Sequence, residues 1–385
     1  MIKKVKIFEF APTADEIWAI PKDSKDGYTS YDLETGLISI LDTAHDAKPR
    51  PEILAVYAGG KATNVARVVD RLLEEDNDTE IELITFLPPP SEGPLKKLKP
   101  IEYNGFQILP STPAGIYVQC LQLSNLSRVK PRFEIIDELQ EKDGMQTTRR
   151  CIEITLKDDI GSMNFSPRII WSQESAYAVL SRVAQIVKGT DIIVIAGAPP
   201  IWCVEFGKNL TPNNFYSAIN DLLDDSCELS IDARVNYIYE CLTATKPPRF
   251  IFMNKDEFVS ASGFWKELNG RDFNGSLFVH DKDGCWIWDG KFPHAEDLFY
   301  GAEYLPAIKV EKVYSTIGAG DAMHAGFLKE WICSEHKYNE LSYQERLHHC
   351  ITYSQVVSAI SVSNEKATYG IDAVLVNNEF KKIRR

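Results

Sequence analysis

No stretch of this 385-residue chain concentrates positive charge: 42 Lys and Arg stand against 55 Asp and Glu, for a formal net charge of −13. Without a basic block to offset that field, the expectation is no nucleic-acid partner. Also missing is any apolar run of membrane-spanning length, so no membrane partner is expected. The opening MIKKVKIFEF is a charged, alternating segment with too few apolar residues for a secretion signal. Eight cysteines are scattered without a CxxC pair, which argues against a zinc site or a disulfide framework and for reduced thiols. A GxGxxG after the first strand is absent, so a dinucleotide site has little support. Repeats and low-complexity tracts are lacking too. These absences leave a soluble, cytoplasmic chain, 44% hydrophobic and 25% charged, long enough to bury a full α/β core.

The stretch around which the chain is organised is Val313 to Trp331, VYSTIGAGDAMHAGFLKEW. A polar turn leads into Gly318-Ala319-Gly320-Asp321, and an apolar-faced helix follows. Glycines admit close approach of a ligand, so the N–H groups of Ala319, Gly320 and Asp321 can converge on one point, reinforced by the helix's positive end. Asp321 adds a carboxylate there. An anion hole beside a base is what phosphoryl transfer to a hydroxyl requires. The same four residues also read as an ordinary Gly-rich helix start with a dipole-favoured acid.

Taken in order, residues 3–9 alternate as a strand closed by Pro12-Thr13-Ala14-Asp15, where Asp15 serves either as a turn cap or as a carboxylate for sugar hydroxyls. Residues 21–50 read as a hairpin or edge strand around 37–41, set apart from the main sheet. A strand ending in Gly59-Gly60 then opens a helix with Val65, Val68, Val69 and Leu72 on one face. Lys61 and Asn64 lie on its first turn, where a phosphate or hydroxyl can be held. After the strand Ile81–Leu87, strands are expected at 106–109, 115–123 and 149–156. The charged piece 129–147 reads as an inserted loop with two helical turns at 133–141. Arg149 is either an anion-binding arginine or an exposed one on an edge strand.

From 173 onward helices and strands alternate, with strands at 191–196, 227–231, 249–253, 276–280 and 285–288. That rhythm predicts a mostly parallel, doubly wound α/β sheet with ligands beyond the strands' C-terminal ends. Asn254 and Glu257 offer oxygens three residues apart, suited either to hydrated Mg²⁺ or to a helix cap. A further helix over 349–364 carries Ala359 and Ser363, which with Ala367 are small enough to leave room for an adenine.

These motifs together resemble the phosphofructokinase-B, ribokinase-like carbohydrate kinases. The family's Asp/Asn-Thr-x-Gly-Ala-Gly-Asp stands as Ser315-Thr316-Ile317-Gly318-Ala319-Gly320-Asp321, and its Gly-Gly-Lys-Gly-x-Asn-Val-Ala as Gly59 through Ala66. Its Asn-x-x-Glu is Asn254 to Glu257, and its Ser-Gly-Ser-Leu-Pro turn is Ala196 to Pro200. The 1-phosphofructokinase and tagatose-6-phosphate kinase branch looks closest, through Ala11 to Asp15 and Thr148 to Ile154.

The resemblance implies a ribokinase-like fold of one domain, with a small β-sheet lid formed by inserted segments at roughly 16–52 and 104–160. It implies ATP- and Mg²⁺-dependent phosphorylation of a sugar or sugar phosphate, hexose phosphates favoured, with a nucleoside or small-alcohol kinase and an inactive sugar-binding protein as alternatives. Asp321 would be the base and Gly318, Ala319 and Gly320 the anion hole. Asp15, Gly59, Gly60, Lys61, Asn64 and Arg149 would hold the substrate. Asn254, Asp283, Gly284, Thr316, Ala359 and Ser363 would hold the nucleotide, and Asn254 with Glu257 the metal. A homodimer paired through the lid is left open. Ser315, Ala11, Asp281 and Glu153 depart from the family pattern, and they bear on the substrate more than on the reaction.

Overall fold

The computed structural model describes residues 2–20, 27–31, 38–42, 52–73, 79–89, 101–103, 106–108, 113–139, 148–156, 162–165, 169–294, 296–337, 340–364 and 367–383. A nine-stranded sheet runs in the order Glu303–Pro306, Gly284–Lys291, Asp272–His280, Phe250–Asn254, Glu228–Asp232, Ile192–Ala196, Lys3–Glu9, Thr79–Leu87 and Val129–Ile135. All neighbours pair in parallel except among the first three strands of that order, whose two pairings are antiparallel. A second sheet of four strands joins Ser162–Phe165, Arg149–Leu156, Thr13–Ile20 and Glu52–Gly59. Gly27–Tyr31 and Ile38–Asp42 form a separate hairpin, as the sequence suggested.

Helices cover both faces of the large sheet, and its central strand Ile192–Ala196 is apolar at every position. In Ile192–Ala196, Ile192, Val194 and Ala196 enter one core while Ile193 and Ile195 enter the other. An unbroken IIVIA is what burial on two faces demands. Each such Ile or Val contributes roughly 2 kcal/mol by leaving water. The helix Lys61–Leu72 docks on one face through Val65, Val68, Val69 and Leu72, all fully buried. The helices Ala319–Lys337 and Tyr343–Val362 belong to the same layer. No described helix is long and apolar enough to cross a membrane. Every described cysteine is a free thiol, four of them buried; the side chain of Cys151 lies outside the described residues.

Three expectations are corrected here. Residues 115–123 are not a strand but part of the helix Pro113–Leu123. Its buried Ala114, Tyr117, Val118 and Leu121 follow 3.6-residue spacing, which the otherwise continuous apolar run disguised. The piece beginning at 129 is no helical insertion: Val129–Ile135 is the edge strand of the main sheet. Pro131 and three charged residues masked it, yet an edge strand is the place where a sheet tolerates proline. Arg132 and Glu134 there pair at 2.6 Å. Residues 140–147 lie outside the described part. Thr13–Asp15 does not cap the first strand but begins the next one, Thr13–Ile20.

Candidate active site

Three adjacent parallel strands end on Asp232, Asn254 and His280, and these last residues form the floor of a cleft of about 1000 Å³. The tips of two helices face them, one bringing Lys61 and Asn64 and the other Asp321. The site therefore lies beyond the carboxyl ends of the strands, where open α/β sheets bind ligands.

At the first helix tip, Gly60 adopts φ +110°, and a Cβ there would come within 2.4 Å of the Glu9 carboxylate. Glu9 is buried at the end of the first strand and accepts the Thr63 N–H and hydroxyl, both at 2.9 Å, and the Ala11 N–H at 3.0 Å. That carboxylate satisfies amides the helix start would otherwise leave unpaired. The turn so fixed sends Lys61 into the cleft, where its ammonium reaches Asp232 at 3.1 Å. Burial opposes the charge on Lys61, but Asp232, Asp321 and Glu257 raise its pKa above the ordinary value. Burial would push Asp232 up, but Lys61, His324 and His280 together outweigh it, leaving the carboxyl below its usual range. Gly59 lies behind the wall, its backbone packed so closely on Asp15 that a Cβ would meet Oδ2 at 1.8 Å. Asp15 itself lines the cleft and accepts the Thr13 hydroxyl at 2.6 Å.

At the second tip, Gly318 has φ +73°, a conformation open to glycine, and Thr368 Cγ2 stands 2.8 Å from where a Cβ would be. The Ala319 N–H turns back to the Thr316 carbonyl at 3.3 Å. The N–H groups of Gly318, Gly320 and Asp321 at this tip have no protein acceptor among the described residues. Asp321 is 6% exposed. Its Oδ2 accepts the Asn64 side-chain N–H at 2.8 Å. Burial raises its pKa to about 6; Asp232 and Asp15 add to the rise, while Lys61 and the Asn64 hydrogen bond oppose it. A carboxylate poised near neutrality suits a general base.

Gly284, Thr316 and Ala359 also line the cleft, beside the apolar Ile308, Val310 and Val362. Asp283, Ser363 and Glu257 do not line the cleft. Ser363 ends its helix with its hydroxyl on the Ile360 carbonyl. The Asp283 carbonyl accepts the Tyr304 hydroxyl at 2.6 Å. Asn254 and Glu257 form a reciprocal cap, with the Asn254 side chain accepting the Glu257 N–H at 2.8 Å. Arg149 pairs with Thr13 in the small sheet, while its side chain and that of Glu153 lie outside the described residues, as does the anion-binding reading placed on Arg149.

Two departures from the family pattern have local explanations. The Asp281 carboxylate closes its own turn by accepting the N–H groups of Asp283 at 2.7 Å and Gly284 at 3.1 Å, and it pairs with Lys255 at 3.0 Å. Ser315 accepts the Ile317 N–H at 3.2 Å, holding the loop before the glycines. Sequence reasoning missed Asp232, His280, Glu9 and Arg67 as site residues. For Asp232 and His280 the available signal was position, since each ends a strand of the parallel sheet. Glu9 and Arg67 act through buried contacts that leave no local pattern. Burial holds His280 below its ordinary pKa, and it pushes His324, against the Ser230 hydroxyl, down to about 4.

Residues 278–373 match the model of the pfkB family carbohydrate kinases. No curated protein matches the sequence significantly. Among solved structures, phosphofructokinase-2 from Escherichia coli in complex with potassium aligns over 100% of both chains, with TM-score 0.62 and 14% identity. A possible 1-phosphofructokinase from Thermotoga maritima covers 98% of this chain and 97% of its own, with TM-score 0.58 and 13% identity. Ribokinase from Giardia lamblia covers 100% of both, with TM-score 0.60 and 12% identity. These likenesses show a ribokinase-like fold, and the match over 278–373 supports the PfkB family of carbohydrate kinases and with it a phosphotransferase.

Proposed function

We propose that the protein transfers the terminal phosphoryl group of ATP to a hydroxyl of a sugar or sugar phosphate. The observation that carries this reading is Asp321: a buried carboxylate with a pKa near 6, at a helix tip with open amides, 2.8 Å from an asparagine on the opposite tip. In this reading Asp321 takes the proton of the attacking hydroxyl, and the Gly320 and Asp321 amides receive the charge on the phosphoryl oxygens. Lys61, Asn64 and Asp15 orient the acceptor, and the apolar residues beside Ala359 take the base. The small sheet acts as a lid that keeps water from the phosphoryl group, with Arg149 as a hydrogen-bond donor to a substrate anion and dimer pairing across it. E. coli phosphofructokinase-2 has been solved with fructose-6-phosphate, which makes hexose phosphates the first acceptors to test.

The donor set also fits Mg²⁺ of one kind. No group of three His, Cys, Asp or Glu stands close enough to cage a metal among the described residues. Asn254 and Glu257 are partly spent on each other. This fits an ion held chiefly by water and phosphate oxygens, with Asn254 and Glu257 supporting its hydration shell. When bound, the ion neutralises charge on the triphosphate. The test is an ADP-release screen over sugars, sugar phosphates and nucleosides with Mg-ATP, beside Asp321→Asn. Turnover lost by several orders of magnitude in the variant supports the reading. ATP binding with no turnover on any acceptor favours a non-catalytic sugar-binding protein instead.

A further inference from the structure

We propose that Arg67 is a positioning residue that presents Asn64 to Asp321 with its amide nitrogen leading. Arg67 is 1% exposed, one turn along the helix from Asn64. Its Nη1 donates to Asn64 Oδ1 at 2.8 Å, and Asn64 Nδ2 donates to Asp321 Oδ2 at 2.8 Å. The two ends of a carboxamide have nearly the same shape, so its partners decide which way it faces. A guanidinium only donates. Facing Arg67, Asn64 must therefore turn its oxygen inward and its NH₂ toward the base.

The guanidinium is itself held from two other segments. Its Nη2 donates to the Ala58 carbonyl, at the end of the small sheet's strand Glu52–Gly59, and its plane lies 3.9 Å over the Tyr369 ring. Tyr369 in turn donates its hydroxyl to that same carbonyl at 3.2 Å. The line Ala58–Arg67–Asn64–Asp321 thus joins the small sheet to the carboxylate. Without Arg67, the amide loses the constraint on its orientation, and Asp321 loses a reliable donor in a site where Lys61 remains the nearby cation and Asp232 and Asp15 the nearby anions.

The inference rests on Asp321 as the base, but its test needs no turnover. The Asp321 carboxyl is titrated by carbon-13 NMR, its signal assigned by its absence in Asp321→Asn. In Arg67→Met the titration midpoint should move up by about one pH unit, the scale of one lost hydrogen bond to a carboxylate. Arg67→Lys, whose single nitrogen replaces the two that reach Asn64 and Ala58, should move it the same way by less, and carries the test if Arg67→Met does not fold. Arg71→Met is the control: Arg71 bonds the Thr368 and Tyr369 carbonyls from the same helix. It should lower the melting temperature and leave the midpoint unchanged. With an acceptor in hand, the acid limb of kcat/KM should follow the midpoint while KM for ATP stays constant. A folded Arg67 variant with the wild-type midpoint, or an equal shift in Arg71→Met, overturns the proposal; an intact shift in an enzyme without turnover leaves it standing and discards the kinase reading alone.

Discussion

Lys61 and Asp232 form a 3.1 Å ion pair although 171 positions separate them in the chain. The lysine side chain is 42% exposed along the cleft and the aspartate 2%. The pair therefore has one wet and one dry end, and removing the wet partner strands a buried charge.

Lys61→Met should destabilise the fold by about 2 kcal/mol at neutral pH, less than for a fully buried pair because the lysine is partly solvated. The pH dependence has a definite sign. Asp232 has a depressed pKa in the folded state. Its contribution is present above the ordinary carboxylate range and lost as pH falls through the folded value. Melting curves of wild type and variant should thus differ most at pH 7–8 and converge below pH 4. An equal gap at both ends would mean the pair is not the source.

Asp321→Asn should separate stability from activity. Its folded pKa of about 6 lies above the ordinary 3.8. Stability is therefore lost as pH rises from about 4 to 6, because the folded state resists giving up the proton. The asparagine variant should be more stable than wild type by ~2–3 kcal/mol at pH 8, taking 1.36 kcal/mol per unit, with the gap closing near pH 4. Phosphoryl transfer should fall at least about a thousandfold. Denaturant titrations at the two pH values check the first statement and ADP release the second.

Gly318→Ala should cost both stability and turnover. It meets strain from φ +73° and a clash with Thr368 at 2.8 Å, and relief would shift the amides that follow. A loss of roughly 2–3 kcal/mol and at least about tenfold in kcat is expected. Gly189→Ala offers the comparison: φ is +65° there, with nothing within 4 Å of the added carbon. It should lose about 1 kcal/mol and no activity. Equal effects on kcat would dissociate the anion hole from catalysis.

Glu257→Gln keeps an acceptor for the Asn254 N–H and so should keep the helix cap, while Asn254→Ala should lose about 1 kcal/mol. If Glu257 supports the hydrated metal, its neutral replacement should need roughly tenfold more Mg²⁺ for half-maximal ADP release. An unchanged Mg²⁺ curve would assign Glu257 to capping alone.

Much of this was readable from residue order. The parallel sheet showed itself in the alternation of strands and helices from 173 onward, and the two helix tips in Gly60 with Lys61 and Gly318 with Asp321. Those signals are local, because a positive-φ glycine or a doubly buried strand limits its own composition. The helix 113–123 and the edge strand 129–135 were hidden for a different reason: continuous apolarity suits either element, and a solvent-facing edge accepts proline and charge. Residue order alone thus settled the class of fold and the two turns that open the site. Tertiary structure decided the rest: that Asp232 neutralises Lys61, that Glu9 anchors one helix tip, and that Arg67 reaches Asp321 through Asn64. Those contacts depend on a buried polar group finding its partner across distant segments, and no local pattern encodes which partner that will be.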